Sequence, residues 1–252
     1  QRHVQAVTEA LEAFETRKAV QHAFFFLMQD LRWYMKRAQQ PEARAHMLKR
    51  VFNVWLRLLA PFTPHICEEL WERAKSGGFV SVAPWPKVEE GLIDEGAELV
   101  ESYLGRVLED IGKILRVVKV EKPERVCLYV AQDWKWQAYR IAMKRVGGGK
   151  IDFGALLREI GEKLELKLRK SDLSKFLQQT VQELRGMPPE ELEILETTEI
   201  DELQVLLGAV DFIREQLNVK EVCVFKADDA ARYDPQDRAR LAVPLRPAIF
   251  IE

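Results

Sequence analysis

The fold is decided by the stretch Leu59-Ala60-Pro61-Phe62-Thr63-Pro64-His65-Ile66-Cys67-Glu68-Glu69-Leu70-Trp71, in which one helix ends and another begins. Pro61 cannot continue the apolar helix before it, because proline lacks an N–H and its ring clashes with the preceding turn. Thr63 and Pro64 suit the N-cap and the first position of a second helix. The apolar residues of that helix share one face, which consists of Ile66, Cys67, Leu70 and Trp71. The stretch therefore predicts a tight corner between two helices that pack on a common core.

Length and composition predict a protein with a sizeable core. The chain has 252 residues, of which 47% are hydrophobic, enough for one large or two ordinary domains. No apolar run reaches the roughly 18 residues that a membrane helix needs, and the N-terminus has no secretion signal. The first residue is Gln1, which suggests a fragment of a longer polypeptide. We therefore expect a cytoplasmic protein without a membrane segment.

The cysteines and histidines predict neither a disulfide nor a metal site. The three cysteines, Cys67, Cys127 and Cys223, are odd in number, widely spaced and set in apolar surroundings. These features are typical of buried thiols in a reducing compartment. The four histidines form no His-x-x-x-His pair, and no Cys-x-x-Cys pair occurs.

Charge is distributed unevenly along the chain. Residues 1–88 carry 13 basic and 8 acidic side chains, whereas residues 89–252 carry 25 basic and 32 acidic ones. Within the second part, the segment 113–170 has 15 basic and 7 acidic residues, and the segment 183–229 has 4 basic and 13 acidic residues. A polyanion could be held by the basic segments and oriented by repulsion from the acidic one. The alternative is that these charges only keep exposed helices in solution.

Residues 1–75 have the periodicity of helices throughout. Thr16 is the expected N-cap of a helix that reaches Ala38, and Pro41 begins the next helix. The predicted inward-facing residues are Phe24, Met28, Leu31 and Met35 on the first of these helices and Leu48, Phe52, Trp55 and Leu59 on the second. Basic residues lie beside or opposite both stripes, so the two helices would present basic ridges on the surface.

The pattern changes after the loop Ser76-Gly77-Gly78. A helix over residues 97–117 precedes a strand-like run, 125–130, and a helix over 133–146. A similar order recurs later, with a helix from Thr198 as cap to Leu217, a strand-like run over 221–225 and a polar helical segment over 228–242. Asp152 and Ser171 are expected to cap two further helices, and residues 245–251 to form a last strand. The predicted fold is a mainly α N-terminal helical bundle, residues 1–88, followed by a smaller α+β C-terminal domain, residues 89–252, that begins with a linker helix.

Several stretches resemble a known family. Three of them resemble the anticodon-binding domain of class I aminoacyl-tRNA synthetases for leucine, isoleucine and valine. They are the corner at 59–71, the element Val82-Ala83-Pro84-Trp85-Pro86 and the stretch Asp30-Leu31-Arg32-Trp33-Tyr34. The ending, Arg232-Tyr233-Asp234-Pro235 and residues 242–252, resembles the terminus of archaeal-type leucyl-tRNA synthetases. The terminal sequence argues against the isoleucyl and valyl enzymes, which are the nearest alternatives. The match between residues 120 and 230 is only one of element order.

The resemblance implies a parent enzyme that joins leucine to its tRNA with ATP and Mg²⁺, and that is expected to be a cytoplasmic monomer. The loops that hold ATP in class I enzymes are not recognisable in this chain, where the nearest candidates are His65-Ile66 and the run 170–175. Gly147-Gly148-Gly149-Lys150 has glycines of a phosphate loop but lacks a preceding strand and a following Ser or Thr. We therefore expect no catalytic residue, metal or cofactor in this fragment, and no activity without the missing domains.

The resemblance also implies a partner, a leucine-accepting tRNA with a long variable arm. The residues expected to contact its backbone are Arg32, Lys36, Arg37, Arg50 and Arg57 in the bundle, and Lys135, Arg140, Lys144, Arg145, Lys150, Lys167, Arg169 and Lys170 in the second domain. Ile251 and Glu252 are expected to lie against loop bases, because a strand end offers free main-chain groups and a carboxylate accepts from amino groups. The alternative for each cation is a solvated surface charge. A different class of function remains open, in which the acidic segment 183–229 docks a protein of a translation assembly.

Overall fold

The protein divides into two compact units, which are described separately. The computed structural model describes residues 1–120, 122–147, 152–163 and 170–252. The first unit comprises Gln1–Asp94 and the second Glu95–Glu252.

The first unit is helical. Its helices are α1 (Arg2–Glu12), α2 (Thr16–Val20), α3 (Leu27–Arg37), α4 (Pro41–Leu59) and α5 (Pro64–Arg73), with a π-helical segment (Gln21–Phe26) between α2 and α3 and 3₁₀ turns at Val80–Val82 and Glu90–Leu92. One core cluster joins Val4, Val7, Ala10, Ala19, Ala23 and Leu58. Five of these six side chains are small, counting valine, so α1 can approach α2 and the π-helical segment closely.

The predicted continuous helix from Thr16 to Ala38 is interrupted. Glu15 is the N-cap in place of Thr16, and the π-helical segment separates α2 from α3. The indole Nε1 of Trp55 donates to the carbonyl oxygen of Ala23 at 2.7 Å within that segment. The predicted stripe is only partly buried, since Ala19 and Ala23 take the core positions and Phe24 is 40% exposed. On α4 the buried residues are Leu56 and Leu58, whereas Leu48 is exposed.

The predicted corner is present between α4 and α5. The backbone N–H of Thr63 donates to the carbonyl of Leu59 at 2.9 Å, and α5 begins at Pro64. The hydroxyl of Thr63 turns back to the same carbonyl at 3.3 Å and does not cap α5. Cys67 and Trp71 are buried as expected, but Ile66 faces outward and is half exposed.

The second unit combines helices with a small sheet. Its elements are α6 (Glu95–Val118), β1 (Arg125–Val130), α7 (Asp133–Gly147), α8 (Phe153–Lys163), α9 (Lys170–Gly186), α10 (Pro189–Thr197), α11 (Glu202–Gly208), α12 (Val210–Leu217), β2 (Glu221–Lys226), a 3₁₀ turn (Ala239–Leu241) and β3 (Ala248–Ile251). The order of the strands is β2-β1-β3, with β1 parallel to β2 and antiparallel to β3. Since β1 is central, Val126 to Val130 are all buried. The predicted fold class, a helical bundle followed by an α+β domain, is confirmed, but the α+β unit is the larger of the two.

Two predicted helices of this unit differ in the structure. The polar segment 228–242 contains only the 3₁₀ turn, because the carboxylate of Asp234 accepts from the backbone N–H groups of Arg238 at 2.8 Å and Ala239 at 2.9 Å and so favours a turn. The helix expected from Thr198 begins at Glu202, where Asp201 Oδ1 caps the N–H of Gln204 at 3.1 Å.

The cysteines of the second unit are neighbours in the sheet. Cys127 of β1 and Cys223 of β2 are partners in the parallel register, and both are free thiols. Burial raises the pKa of Cys127 to about 12, with a smaller contribution from Cys223. The thiol therefore stays protonated near neutral pH and is a poor nucleophile.

Candidate nucleic-acid interface

Some of the predicted cations of the first unit are exposed, and others are hydrogen-bonded within the unit. Arg32 and Lys36 are exposed on α3, and Arg37 is half-buried beside them. Arg50 is exposed on α4, with a guanidinium nitrogen 3.7 Å from a carboxylate oxygen of Glu89. Lys49, which the sequence analysis did not include, is exposed next to Arg50. Arg32, Lys36, Lys49 and Arg50 can therefore meet an anion from solvent.

Arg57 has a different role from the other predicted cations of the bundle. Its Nη1 donates to the carbonyl oxygen of Pro84 at 2.9 Å, and its Nε donates to the carbonyl of Asn53 at 3.3 Å. The neighbouring Trp85 donates from Nε1 to the hydroxyl of Thr8 at 2.9 Å. Arg57 thus connects the Trp-Pro element to α4, and two of its guanidinium nitrogens donate to carbonyl oxygens within the unit.

Lys135 is buried, although the sequence suggested a surface cation. Its side chain is 8% exposed, and Nζ donates to the carbonyl oxygens of Arg240, at 2.9 Å, and of Ala242. Burial lowers the pKa of this ammonium group. The structure therefore places Lys135 under the 3₁₀ turn, away from any ligand in solvent.

The remaining cations of α7 are exposed, but two of them are paired with carboxylates. A guanidinium nitrogen of Arg140 lies 3.2 Å from Oε1 of Glu199. Arg145 donates from Nε and Nη2 to Oε2 of Glu159, at 3.1 and 2.7 Å. Hydrogen bonds from Lys163 and Arg145 lower the pKa of Glu159, which keeps it ionised. Lys144 is exposed on the same helix.

Four of the predicted contacts cannot be placed. Lys150, Lys167 and Arg169 lie outside the described residues. Lys170 is the first residue of α9, and the structure describes only its backbone.

The end of the chain is paired with β1. The N–H of Glu252 donates to the carbonyl of Arg125 at 2.9 Å, and the carbonyl of Glu252 accepts from the N–H groups of Glu124 and Arg125 at 2.7 and 3.1 Å. The expectation of free main-chain groups is therefore wrong for Glu252. Because hydrogen-bonded pairs alternate along an antiparallel ladder, the main-chain groups of Ile249 and Ile251 point to the other side of β3. No further strand covers that edge among the described residues.

The side chain of Glu252 belongs to a charged cluster at the same end of the sheet. A cleft of about 200 Å³ is lined by Glu124, Arg125, Lys220, Glu221 and Glu252. Lys220 pairs with Glu124, and Arg125 Nε donates to Glu221 Oε2 at 2.6 Å. Sequence reasoning missed Arg125, the first residue of β1, and Lys220, which precedes β2, because these positions indicate nothing until the parallel register of β1 and β2 is known.

Two further findings concern the described part of the chain. It contains no group of three or more His, Cys, Asp or Glu side chains arranged to hold a metal ion. None of its helices has the length and hydropathy of a membrane span.

The chain belongs to the family of anticodon-binding domains of tRNA ligases, whose family model matches residues 1–130. It is similar over nearly its whole length to leucine–tRNA ligases from archaea. The identity is 38% over 251 residues with the protein of Pyrococcus furiosus, covering 99% of this chain and 24% of that protein. It is 40% over 255 residues with the protein of Methanothrix thermoacetophila and 38% over 252 residues with that of Methanosarcina barkeri, covering 100% of this chain and 25% of each protein.

These similarities confirm the resemblance to archaeal-type leucyl-tRNA synthetases. They extend through residues 120–230, where the sequence offered only element order as a match. The chain spans about a quarter of the length of these relatives.

Proposed function

We propose that this chain is the tRNA-binding part of a leucine–tRNA ligase. The first unit docks the body of the tRNA and the second unit holds its long variable arm. A catalytic domain outside this chain then attaches leucine to the 3′ end with ATP and Mg²⁺. The observation that carries the proposal is similarity to leucine–tRNA ligases over 99 to 100% of the chain, which includes both units.

The distribution of exposed cations supports contact with the tRNA backbone. Stems of A-form RNA are bound mainly through phosphates and shape, because side chains cannot reach their bases in the deep major groove. Arg32, Lys36 and Arg50 are exposed on two helices of the first unit, and Lys144 is exposed on α7 of the second. Arg140 and Arg145 can add to this set where a phosphate replaces Glu199 or Glu159 as the partner.

The end of β3 supports contact with unpaired nucleotides. Bases in an RNA loop expose their edges, and a carboxylate accepts hydrogen bonds from the amino groups of cytosine or guanine. Ile251 has outward main-chain groups and Glu252 has a half-exposed side chain at the same point. We assign these two residues to the loop of the variable arm.

Leucine activation belongs to the missing part of the parent enzyme. His65 and Ile66 lie in the first turn of α5, and Lys175 lies inside α9, so neither sequence forms a loop that could cradle phosphates. We expect the isolated chain to bind tRNA and to show no ATP–pyrophosphate exchange.

The test is a salt titration of tRNA binding by the isolated chain. Each phosphate neutralised by a cation should contribute roughly 0.7 to 0.9 to the slope of log affinity against log salt. Arg32→Gln and Lys36→Gln should each lower the slope by about one such contribution. Arg73→Gln is the matched control, because Arg73 is also exposed in the first unit but lies on α5, outside the proposed set of contacts. A slope near zero for the unmodified chain would contradict the proposal.

A further inference from the structure

Two side chains hold the carboxylate of Glu252. The hydroxyl of Tyr233 donates to Oε2 of Glu252 at 3.2 Å. Nη1 of Arg125 lies 3.6 Å from the same oxygen. The guanidinium carbon of Arg125 lies 4.9 Å from the centre of the Tyr233 ring, so the two holders also contact each other.

Both holders are themselves fixed in place. The carbonyl oxygen of Tyr233 accepts from the hydroxyl of Tyr129, whose side chain is fully buried in β1. The Tyr233 ring meets the ring of buried Phe250 edge to face, with 6.0 Å between centroids. Arg125 donates from Nε to Glu221 of the neighbouring strand. The core therefore determines where the Tyr233 hydroxyl stands, and the ion pair with Glu221 orients the Arg125 guanidinium.

The arrangement orients a side chain that would otherwise rotate freely. Glu252 is the last residue described, and its side chain is 48% exposed, so packing alone does not restrict it. Both contacts are made to Oε2, and among the described residues Oε1 accepts no hydrogen bond. A carboxylate held by one oxygen presents the other to solvent, and this orientation removes part of the entropy lost on binding.

We propose that Arg125 and Tyr233 are positioning residues that aim Oε1 of Glu252 at an unpaired base of the bound tRNA. The inference rests on the proposed function, because it assumes that Glu252 lies against the loop of the variable arm. The group it accepts from is an exocyclic amino group, as on cytosine or guanine. Neither Arg125 nor Tyr233 needs to touch the RNA.

The experiment measures the affinity of the 252-residue chain for two RNAs at one salt concentration. One is leucine tRNA, and the other is the same tRNA with the loop of the variable arm removed. Tyr233→Phe removes a single oxygen atom and leaves the ring on Phe250. We expect about a threefold to tenfold loss of affinity for the intact tRNA and no loss for the trimmed one.

A double-mutant cycle with Glu252→Ala separates positioning from general damage. Glu252→Ala should weaken binding of the intact tRNA by at least as much as Tyr233→Phe, and the double variant should be no weaker than Glu252→Ala alone. If the two losses multiply in the double variant, or if Tyr233→Phe weakens binding of both RNAs equally, the positioning role is overturned. Retention of full affinity by Tyr233→Phe would overturn it as well.

Arg125→Gln tests the second holder against a matched control. Lys226→Gln also removes one positive charge from the sheet, at the far end of β2, where Lys226 pairs with Asp133 at 3.2 Å. Arg125→Gln should lower the affinity for the intact tRNA and not for the trimmed one, as Tyr233→Phe does. Lys226→Gln should change the affinity for both RNAs alike. Equal behaviour of the two variants would contradict a positioning role for Arg125. If the unmodified chain binds intact and trimmed tRNA equally, the contact with the loop falls and with it the positioning role, whereas the proposed tRNA-binding function falls only if the salt dependence of binding is also absent.

Discussion

At the scale of single residues, two lysines of α7 have opposite surroundings. Lys135 and Lys144 both lie in the basic segment of the sequence, and both were expected to bind RNA. The structure buries Lys135 against two carbonyl oxygens and leaves Lys144 exposed. A lysine buried with hydrogen-bond acceptors contributes to stability, whereas an exposed one is available to a ligand.

We predict that Lys135→Met lowers the free energy of unfolding by about 2 to 3 kcal/mol, because it leaves the carbonyl oxygens of Arg240 and Ala242 without their donor. Urea unfolding monitored by circular dichroism measures the loss. Lys144→Met is the control and should change stability by less than about 0.5 kcal/mol while it weakens tRNA binding. The assignment would be wrong if Lys135→Met were as stable as the unmodified chain and bound tRNA less tightly at every salt concentration.

The difference between these lysines could not be read from the sequence. The partner carbonyl of Arg240 lies 105 positions away along the chain, and nothing near Lys135 indicates the contact. The same holds for Arg57, whose carbonyl partner in the Trp-Pro element is 27 positions away. Composition reveals how many cations a segment has, but pairing and burial depend on the tertiary structure.

At the scale of elements, a buried polar cluster joins four helices of the second unit. Glu202 of α11 is 3% exposed, and Nε1 of Trp136 on α7 donates to its Oε2 at 2.8 Å. Tyr103 of α6 is fully buried near the same carboxyl, and Arg106 of α6 pairs with Glu191 of α10 at 3.3 Å. Burial raises the pKa of Glu202 to about 7, and the hydrogen bond from Trp136 offsets only part of this effect. The cluster therefore changes its charge near neutral pH.

This shift predicts that stability declines as pH rises through the cluster's titration range. The folded pKa, about 7, lies above the ordinary value of 4.5, so the folded state binds more protons than the unfolded chain between these values. The stabilisation is complete below pH 4.5 and is lost as the pH rises to 7, by roughly 3 kcal/mol at most. Glu202→Gln should remove this part of the pH dependence and should be more stable than the unmodified chain at pH 8.

Urea unfolding at pH 5 and pH 8 measures the free energy of unfolding of the variant and of the unmodified chain. Because the other titrating groups contribute equally to both proteins, the difference between the two free energies isolates the contribution of Glu202. Asp211→Asn is a suitable control, because it also removes one carboxylate from the second unit and Asp211 is exposed on α12. Equal pH dependence of the Glu202→Gln variant and the unmodified chain would show that Glu202 ionises normally.

Elements were predictable where local chemistry determined them. Pro61 and Pro64 define the corner because they restrict the backbone directly, and the apolar run at 125–130 forms the central strand because it must be buried on both faces. The segment 228–242 was mispredicted, since side-chain carboxylates such as Asp234 satisfy the backbone N–H groups that a helix would use. The register of the sheet, and with it the cluster around Glu252, depends on pairing between distant segments.

At the scale of the whole molecule, the two units offer different chemistry to an RNA. The first presents cations on α3 and α4, which suit phosphates. The second combines exposed cations on α7 with a strand end that carries an oriented carboxylate and outward main-chain groups. Cations alone would bind any RNA, so in the proposed function we assign specificity for one class of tRNA to the strand end and to the shape of the arm.

The competing hypothesis assigns the acidic segment 183–229 to a protein partner. Some of its carboxylates form ion pairs within the second unit. Glu199 pairs with Arg140, Glu191 with Arg106, and Glu221 with Arg125. These pairs orient cations and connect helices, which explains part of the acidic composition without a partner.

The most direct test of the central claim compares two tRNAs in one mobility-shift experiment with the 252-residue chain. One is leucine tRNA with its long variable arm, and the other is the same tRNA with that arm replaced by a short loop. If both units take part in binding, the long-armed tRNA binds tighter by roughly tenfold or more, and its affinity falls more steeply with salt. Equal affinity and equal salt dependence for the two tRNAs would contradict the account.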